Sequence, residues 1–188
     1  MIVLASRSPR RRQLLDQIHI PYRVVDVDVP EGREPGESAE DFVQRVAQDK
    51  ARAGVALAGE ELPVLAADTT VVVDGEIFGK PGNDEAAARM LFRLAGRSHT
   101  VLSAVALALE GELACRLSRS EVSFRALDAA EIKAYVATGE PADKAGGYGI
   151  QGEAARFISH ISGSYSGIMG LPLFETMELL HDAGIEVL

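Results

Sequence analysis

Cysteine is almost missing from this chain. Cys115 stands alone, so no intramolecular disulfide can form and no cysteine spacing suits a metal. Positive charge is also scarce. Nineteen Lys and Arg face 28 Asp and Glu, giving a formal net charge of -9 and a pI of about 5.0. That balance argues against stable binding to nucleic acid or to an anionic membrane. A polyphosphate would be repelled as well, unless the fold gathers cations locally. No apolar run approaches the length that spans a bilayer. The apolar Ile2-Val3-Leu4-Ala5 precedes arginines, the reverse of a secretory signal, so a cytoplasmic protein is expected. His19, His99, His160 and His181 share no metal-ligand spacing. A phosphate-binding P-loop, a G-x-S-x-G elbow, internal repeats and low-complexity segments are all lacking.

What is present suffices for one full core. With 188 residues, 47% of them hydrophobic, residues 1–188 are expected to form a single domain. Val64 to Val73 reads as a buried strand, closed by an Asp74-Gly75 hairpin turn. Asp68 lies in the middle of it. An ionised carboxylate there costs several kcal/mol unless cations, hydrogen bonds or a metal compensate it. A hydrogen bond to a neighbouring loop backbone and a functional site both account for it at this stage.

A second anomaly lies near the N-terminus. Ser8 fits a helix N-cap and Pro9 the first helical position, with Leu14, Leu15 and Ile18 as the inner face. The first turn then carries Arg10, Arg11 and Arg12, where the helix dipole favours acids. Free N–H groups and guanidinium forks together favour a phosphate at that point, against the alternative of a solvated basic helix start. The loop 26–37 is acidic, and one or two of its carboxylates are candidates for holding a divalent cation. Ser38 caps a long helix with Val43, Val46 and Ala47 inward. Lys50 follows Val46 by four residues and so shares that face, either snorkelling at its edge or aimed into a cleft.

Further along, Lys80 sits between Gly79 and Pro81 in a constrained loop. Asn83 or Asp84 starts a helix to Leu94, and Val101–Leu109 and Leu113–Phe124 form a hairpin about Glu110-Gly111. Asp128 to Glu131 resembles a capping box opening a helix to Ala137. Gly147, Gly149 and Gly152 spell G-x-G-x-x-G, but no strand leads in and no helix follows, which excludes a dinucleotide-binding fold. The loop still admits a ligand to the backbone, and Gln151 offers a donor and an acceptor suited to a base edge. Arg156–Ile161 is expected as a strand, Gly163–Gly167 as a loop, and Pro172 as the start of a last helix.

These pieces together resemble the Maf family of nucleoside triphosphate pyrophosphatases. The resemblance rests on Leu4-Ala5-Ser6-Arg7-Ser8-Pro9-Arg10-Arg11, Ala47-Gln48-Asp49-Lys50-Ala51, Ala67-Asp68-Thr69, Gly79-Lys80-Pro81, Asp143 to Gly152, and Gly163-Ser164-Tyr165 through Pro172. They occur in order along essentially the whole chain. The resemblance implies an α/β fold, a mixed twisted sheet flanked by helices, with two lobes around a deep cleft, related to inosine triphosphate pyrophosphatases. It implies Asp68, Lys50 and Lys80 as catalytic residues, and Ser6, Ser8, Arg10, Arg11, Thr69 and Gln151 on the substrate. A divalent metal (Mg²⁺ or Mn²⁺) held by Glu31 and Asp68, and a homodimer, are implied as well. The form of the Gly-rich segment is similar to the subgroup acting on dTTP and UTP rather than on 7-methyl-GTP. A nucleotide-binding regulator of cell division, with no need for turnover, is the competing reading.

Overall fold

The computed structural model describes residues 1–59 and 61–186. Its centre is one seven-stranded mixed sheet. In chain order the strands are β1 (Ile2–Ala5), β2 (Tyr22–Val25), β3 (Val64–Val73), β4 (Glu76–Phe78), β5 (Ser98–Leu109), β6 (Glu112–Phe124) and β7 (Ile158–Ser162). The order across the sheet is β2-β1-β3-β5-β6-β7, with β4 also paired to β3. Strand β1 runs parallel to both neighbours, and every other pairing is antiparallel.

The helices follow the periodicities that the sequence sets. They are α1 (Pro9–Gln17), α2 (Ala39–Ala58), α3 (Asp84–Leu94), α4 (Ala129–Val136), α5 (Tyr165–Met169) and α6 (Leu173–Asp182). Helix α2 covers one face of the sheet, burying Val43, Val46 and Ala47 against Val64, Ala66, Leu102 and Ala104. On the opposite face, α1 and α6 pack at one end through Leu14, Leu15, Leu179 and Leu180. Helices α3 and α4 pack at the other end through Leu91, Leu94, Ile132 and Tyr135. The polar pair Thr69 and Ser103 lies between these two apolar clusters.

The two long edges of β3 differ. One is paired with β5 from Val64 to Val72 without a break. The other meets β1 only at Val64 and Leu65, and meets β4 only from Val71 to Val73. Residues 66–70 therefore face an opening on that edge. Asp68 lies in the middle of it. The end of β1 and the start of α1 border this opening, so the cleft follows from strand register.

Helix α2 must approach the sheet closely to seal its face. A Cβ at Gly54 would lie 2.6 Å from Val64 Cγ1 and 2.8 Å from Ala5 Cβ. Gly54→Ala is therefore expected to lose about 1–2 kcal/mol in urea unfolding, because overpacking outweighs the gain in helix propensity.

Three local expectations shift. Residues 165–169 form a helical turn where a loop is expected, because the Ser164 side chain accepts the Gly167 N–H and caps it. The strand expected from Arg156 begins at Ile158, since 153–157 coil into a 3-10 turn. Ser8 occupies the N-cap position of α1 without capping by its side chain. Its N–H instead donates to Ser6 Oγ at 3.2 Å.

Candidate active site

The sheet opening leads into a cleft of about 570 Å³, a volume within the range of small-molecule sites. Asp68 forms its floor and is only 8% exposed. Even-numbered residues of β3 point toward α2, and α2 sends Lys50 back to meet them. Lys50 Nζ lies 2.7 Å from Asp68 Oδ1 and 2.6 Å from Glu31 Oε1. One ammonium group thus bridges a carboxylate from the sheet and one from the acidic loop. Burial pushes the Asp68 carboxyl above its ordinary pKa, outweighing the nearby Lys50 and Arg11. Burial also acts upward on Glu31, but there Lys50, Lys80 and Arg11 prevail and hold it below the usual range.

The three arginines of α1 separate by face. Arg10 Nη1 reaches Asp143 Oδ2 at 3.0 Å, crossing from the first helix to the Gly-rich segment. Arg11 points inward, donating through Nε to Gly170 O at 2.7 Å and through Nη1 to Ser6 Oγ at 3.2 Å. Burial lowers the pKa of Arg11, though a guanidinium remains charged in any protein setting. Arg12 is exposed and does not line the cleft. Lys80 lines the cleft from the loop after β4 and makes no ion pair among the described residues.

The odd-numbered face of β3 carries a hydroxyl chain. Ser103 donates to Gly167 O at 2.6 Å, which leaves Thr69 Oγ1 as donor to Ser103 Oγ at 2.8 Å. Together with the Arg11 contact to Gly170, this chain fixes α5 and its following turn as one wall of the cleft. The opposite wall is the segment Asp143 to Gln151. It is anchored by Gly146 N–H donating to Gly79 O at 3.0 Å. Gly146 takes a positive φ of 70°, and a Cβ there would lie 2.9 Å from Val71 Cγ2. Gln151 is exposed at the rim.

The cleft thus brings together Ser6, Ser8, Arg10, Arg11, Glu31, Lys50, Asp68, Thr69, Lys80 and Gln151. A family model described as Maf-like protein matches residues 1–183. The chain belongs to the Maf family. It is 54% identical over 188 residues to a protein of Xanthomonas campestris pv. campestris named dTTP/UTP pyrophosphatase, covering 98% of this chain and 99% of that one. A protein of Yersinia pestis bv. Antiqua with the same name is 52% identical over 179 residues, covering 95% and 91%. Among solved structures, a nucleoside-triphosphatase / dITP/XTP pyrophosphatase of Mycobacterium abscessus superposes with a TM-score of 0.45. It is 23% identical, with 96% of this chain and 93% of that one covered.

Three residues that hold the walls of this cleft or the segments beside it escape sequence reasoning. Ser103 is a hydroxyl in the otherwise apolar run Val101–Leu109, the same kind of signal that marks Asp68. Asp143 is visible only as part of a motif, because its partner Arg10 lies 133 positions away. Glu140 lies ahead of the motif and carries no local signal.

Proposed function

We propose that the protein hydrolyses the α–β phosphoanhydride of dTTP and UTP, releasing the monophosphate and pyrophosphate, in keeping with the name its relatives carry. The observation that carries this reading is the buried Asp68–Lys50 pair, set in the sheet opening and faced by Arg10, Arg11 and Lys80. A carboxylate whose pKa is raised is a better base near neutral pH, so Asp68 takes the proton from a water directed at the α-phosphorus. Lys50 orients Asp68 and offsets its charge. Arg10, Arg11 and Lys80 take up the charge of the departing pyrophosphate, with Ser6, Ser8 and the start of α1 supporting the phosphates. Thr69 and Gln151 meet the nucleoside end. Positioning and electrostatics supply most of the rate in such transfers.

A divalent metal, Mg²⁺ or Mn²⁺, is part of the proposal. Glu31 and Asp68 both place an oxygen against a single cationic centre, the Lys50 ammonium. Carboxylate oxygens suit a hard cation. Among the described residues no group of three or more His, Cys, Asp or Glu could hold a metal. Glu31 and Asp68 are the residues that would hold such an ion, sharing it with the oxygens of the substrate. Such an ion would neutralise charge on the phosphates. The homodimer and the cytoplasmic location stay with this proposal. No helix among the described residues is long and apolar enough to cross a membrane.

The test is a panel of nucleoside triphosphates with Mg²⁺ or Mn²⁺, read by pyrophosphate release. Release from dTTP and UTP is expected. Binding without release would favour a nucleotide-binding regulator, and release confined to 7-methyl-GTP would overturn the choice of substrate.

A further inference from the structure

Glu140 lies outside the machinery just described, yet its carboxylate accepts three hydrogen bonds beside the cleft. It sits in a 3-10 turn after α4 and points back under the Gly-rich segment. Tyr135 O–H donates to its Oε1 at 2.7 Å, and Ala154 N–H approaches the same oxygen at 3.4 Å. Glu153 N–H donates to Oε2 at 2.8 Å. Tyr135 is fully buried, and its oxygen in turn accepts Gly149 N–H at 3.3 Å. These contacts fall on both sides of Gln151. Residue 149 is held through Tyr135, and residues 153 and 154 are held directly.

The glycines around Gln151 fit this arrangement. A Cβ at Gly152 would lie 2.4 Å from each Glu140 carboxylate oxygen, and a Cβ at Gly149 would lie 2.8 Å from Lys144 Cε. Backbone without side chains is what lets the carboxylate seat against the turn. Burial acts upward on the Glu140 pKa, but the Glu153 N–H, Tyr135, the Ala154 N–H and Lys144 together hold it below the usual carboxylate range. The upstream end of the segment has a separate anchor: Tyr148 O–H and His99 Nε2 are 2.7 Å apart and buried. His99 is neutral there, since burial lowers its pKa to about 4. Loss of Glu140 therefore frees the turn at 149–154 without releasing residues 146–148.

We propose that Glu140 is a positioning residue for substrate discrimination: its carboxylate fixes the turn that presents Gln151, and so sets preference for a pyrimidine over a purine base. The inference rests on the proposed function, in which Gln151 meets the base. A side chain that reads hydrogen bonds discriminates only if its own position is fixed, because a mobile amide adapts to either base. Glu140 touches neither phosphate nor scissile bond, so its loss affects the fit of the base more than the chemical step.

The test compares kcat/KM for UTP with kcat/KM for dGTP in the parent protein, Glu140→Ala, Glu140→Gln, Gln151→Ala and the Glu140→Ala/Gln151→Ala double variant. The ratio of the two is independent of how much protein is folded, so loss of stability alone cannot move it. Glu140→Ala is expected to lower the ratio roughly tenfold, mainly through KM for UTP. Glu140→Gln, which keeps the length and one acceptor oxygen, is expected to lose less. The double variant should lose no more than Gln151→Ala alone, because both changes remove one interaction. A ratio unchanged in both Glu140 variants, while Gln151→Ala lowers it, overturns the proposal and leaves base reading by Gln151 standing. A ratio unchanged in Gln151→Ala overturns that reading, and the role of Glu140 with it.

Discussion

Asp68→Asn is expected to lower pyrophosphate release from dTTP and UTP by roughly 10² to 10⁴, the usual contribution of a positioned general base. The fold should survive the change. The amide has nearly the same shape, and Lys50 retains Glu31 at 2.6 Å. The direction of the stability effect follows from the raised pKa of Asp68. A carboxyl that holds its proton more tightly when folded imposes a penalty on stability. That penalty is absent below its unfolded pKa and complete above its folded one. At neutral pH the asparagine variant is therefore expected to unfold in urea within about 1 kcal/mol of the parent, or to be more stable. Full activity in this variant would remove Asp68 from the base role, whatever the reaction proves to be.

Lys50→Met should damage both stability and activity. Lys50 is the one cation within hydrogen-bond reach of Asp68 and Glu31 among the described residues. Removing one partner of a buried pair leaves an uncompensated charge and costs about 3 kcal/mol, the low end of the usual range because Glu31 is half exposed. The deficit should depend on pH. Glu31 has a depressed folded pKa, so the stabilisation it gains from Lys50 is present above its unfolded pKa and lost as pH falls through the folded value. Asp68 loses its need for a cation once protonated. Urea unfolding at neutral pH and again below the carboxylate range should show the gap between variant and parent shrink in acid. A gap that persists in acid would mean that Lys50 matters for packing rather than for charge.

Asp68, Arg10 and Arg11, which the fold gathers in one cleft, stood out in the sequence because each violates a local rule. A carboxylate in a β-branched apolar run and guanidinium groups at a helix start both cost free energy, and such costs point to a ligand. The strands and helices were legible from periodicity, with errors where a single side chain decides. The Ser164 cap makes residues 165–169 helical, and Glu140 coils residues 153–157 by taking up N–H groups at 153 and 154. The cap is a local signal, three residues from its partner, whereas Glu140 lies 13 positions from residue 153 and outside any local propensity. Lys50 was ambiguous from α2 alone, because the edge of an apolar stripe and the wall of a cleft present the same spacing.

The sequence by itself determined the position of the buried carboxylate, the basic start of α1 and membership of the Maf family, and through that resemblance the expectation of a mixed α/β sheet flanked by helices. Those properties reside in residue types and motifs met in order along the chain. Only the tertiary structure decided why Asp68 lines a cleft: β1 leaves β3 at Leu65 and β4 joins it at Val71, so the sheet opens between them. It also decided that Lys50 bridges Asp68 to Glu31, that Arg11 clamps Gly170, and that Glu140 braces the turn carrying Gln151. These are encounters between residues far apart in the chain. Strand register and side-chain direction create them, and no local window of sequence records either.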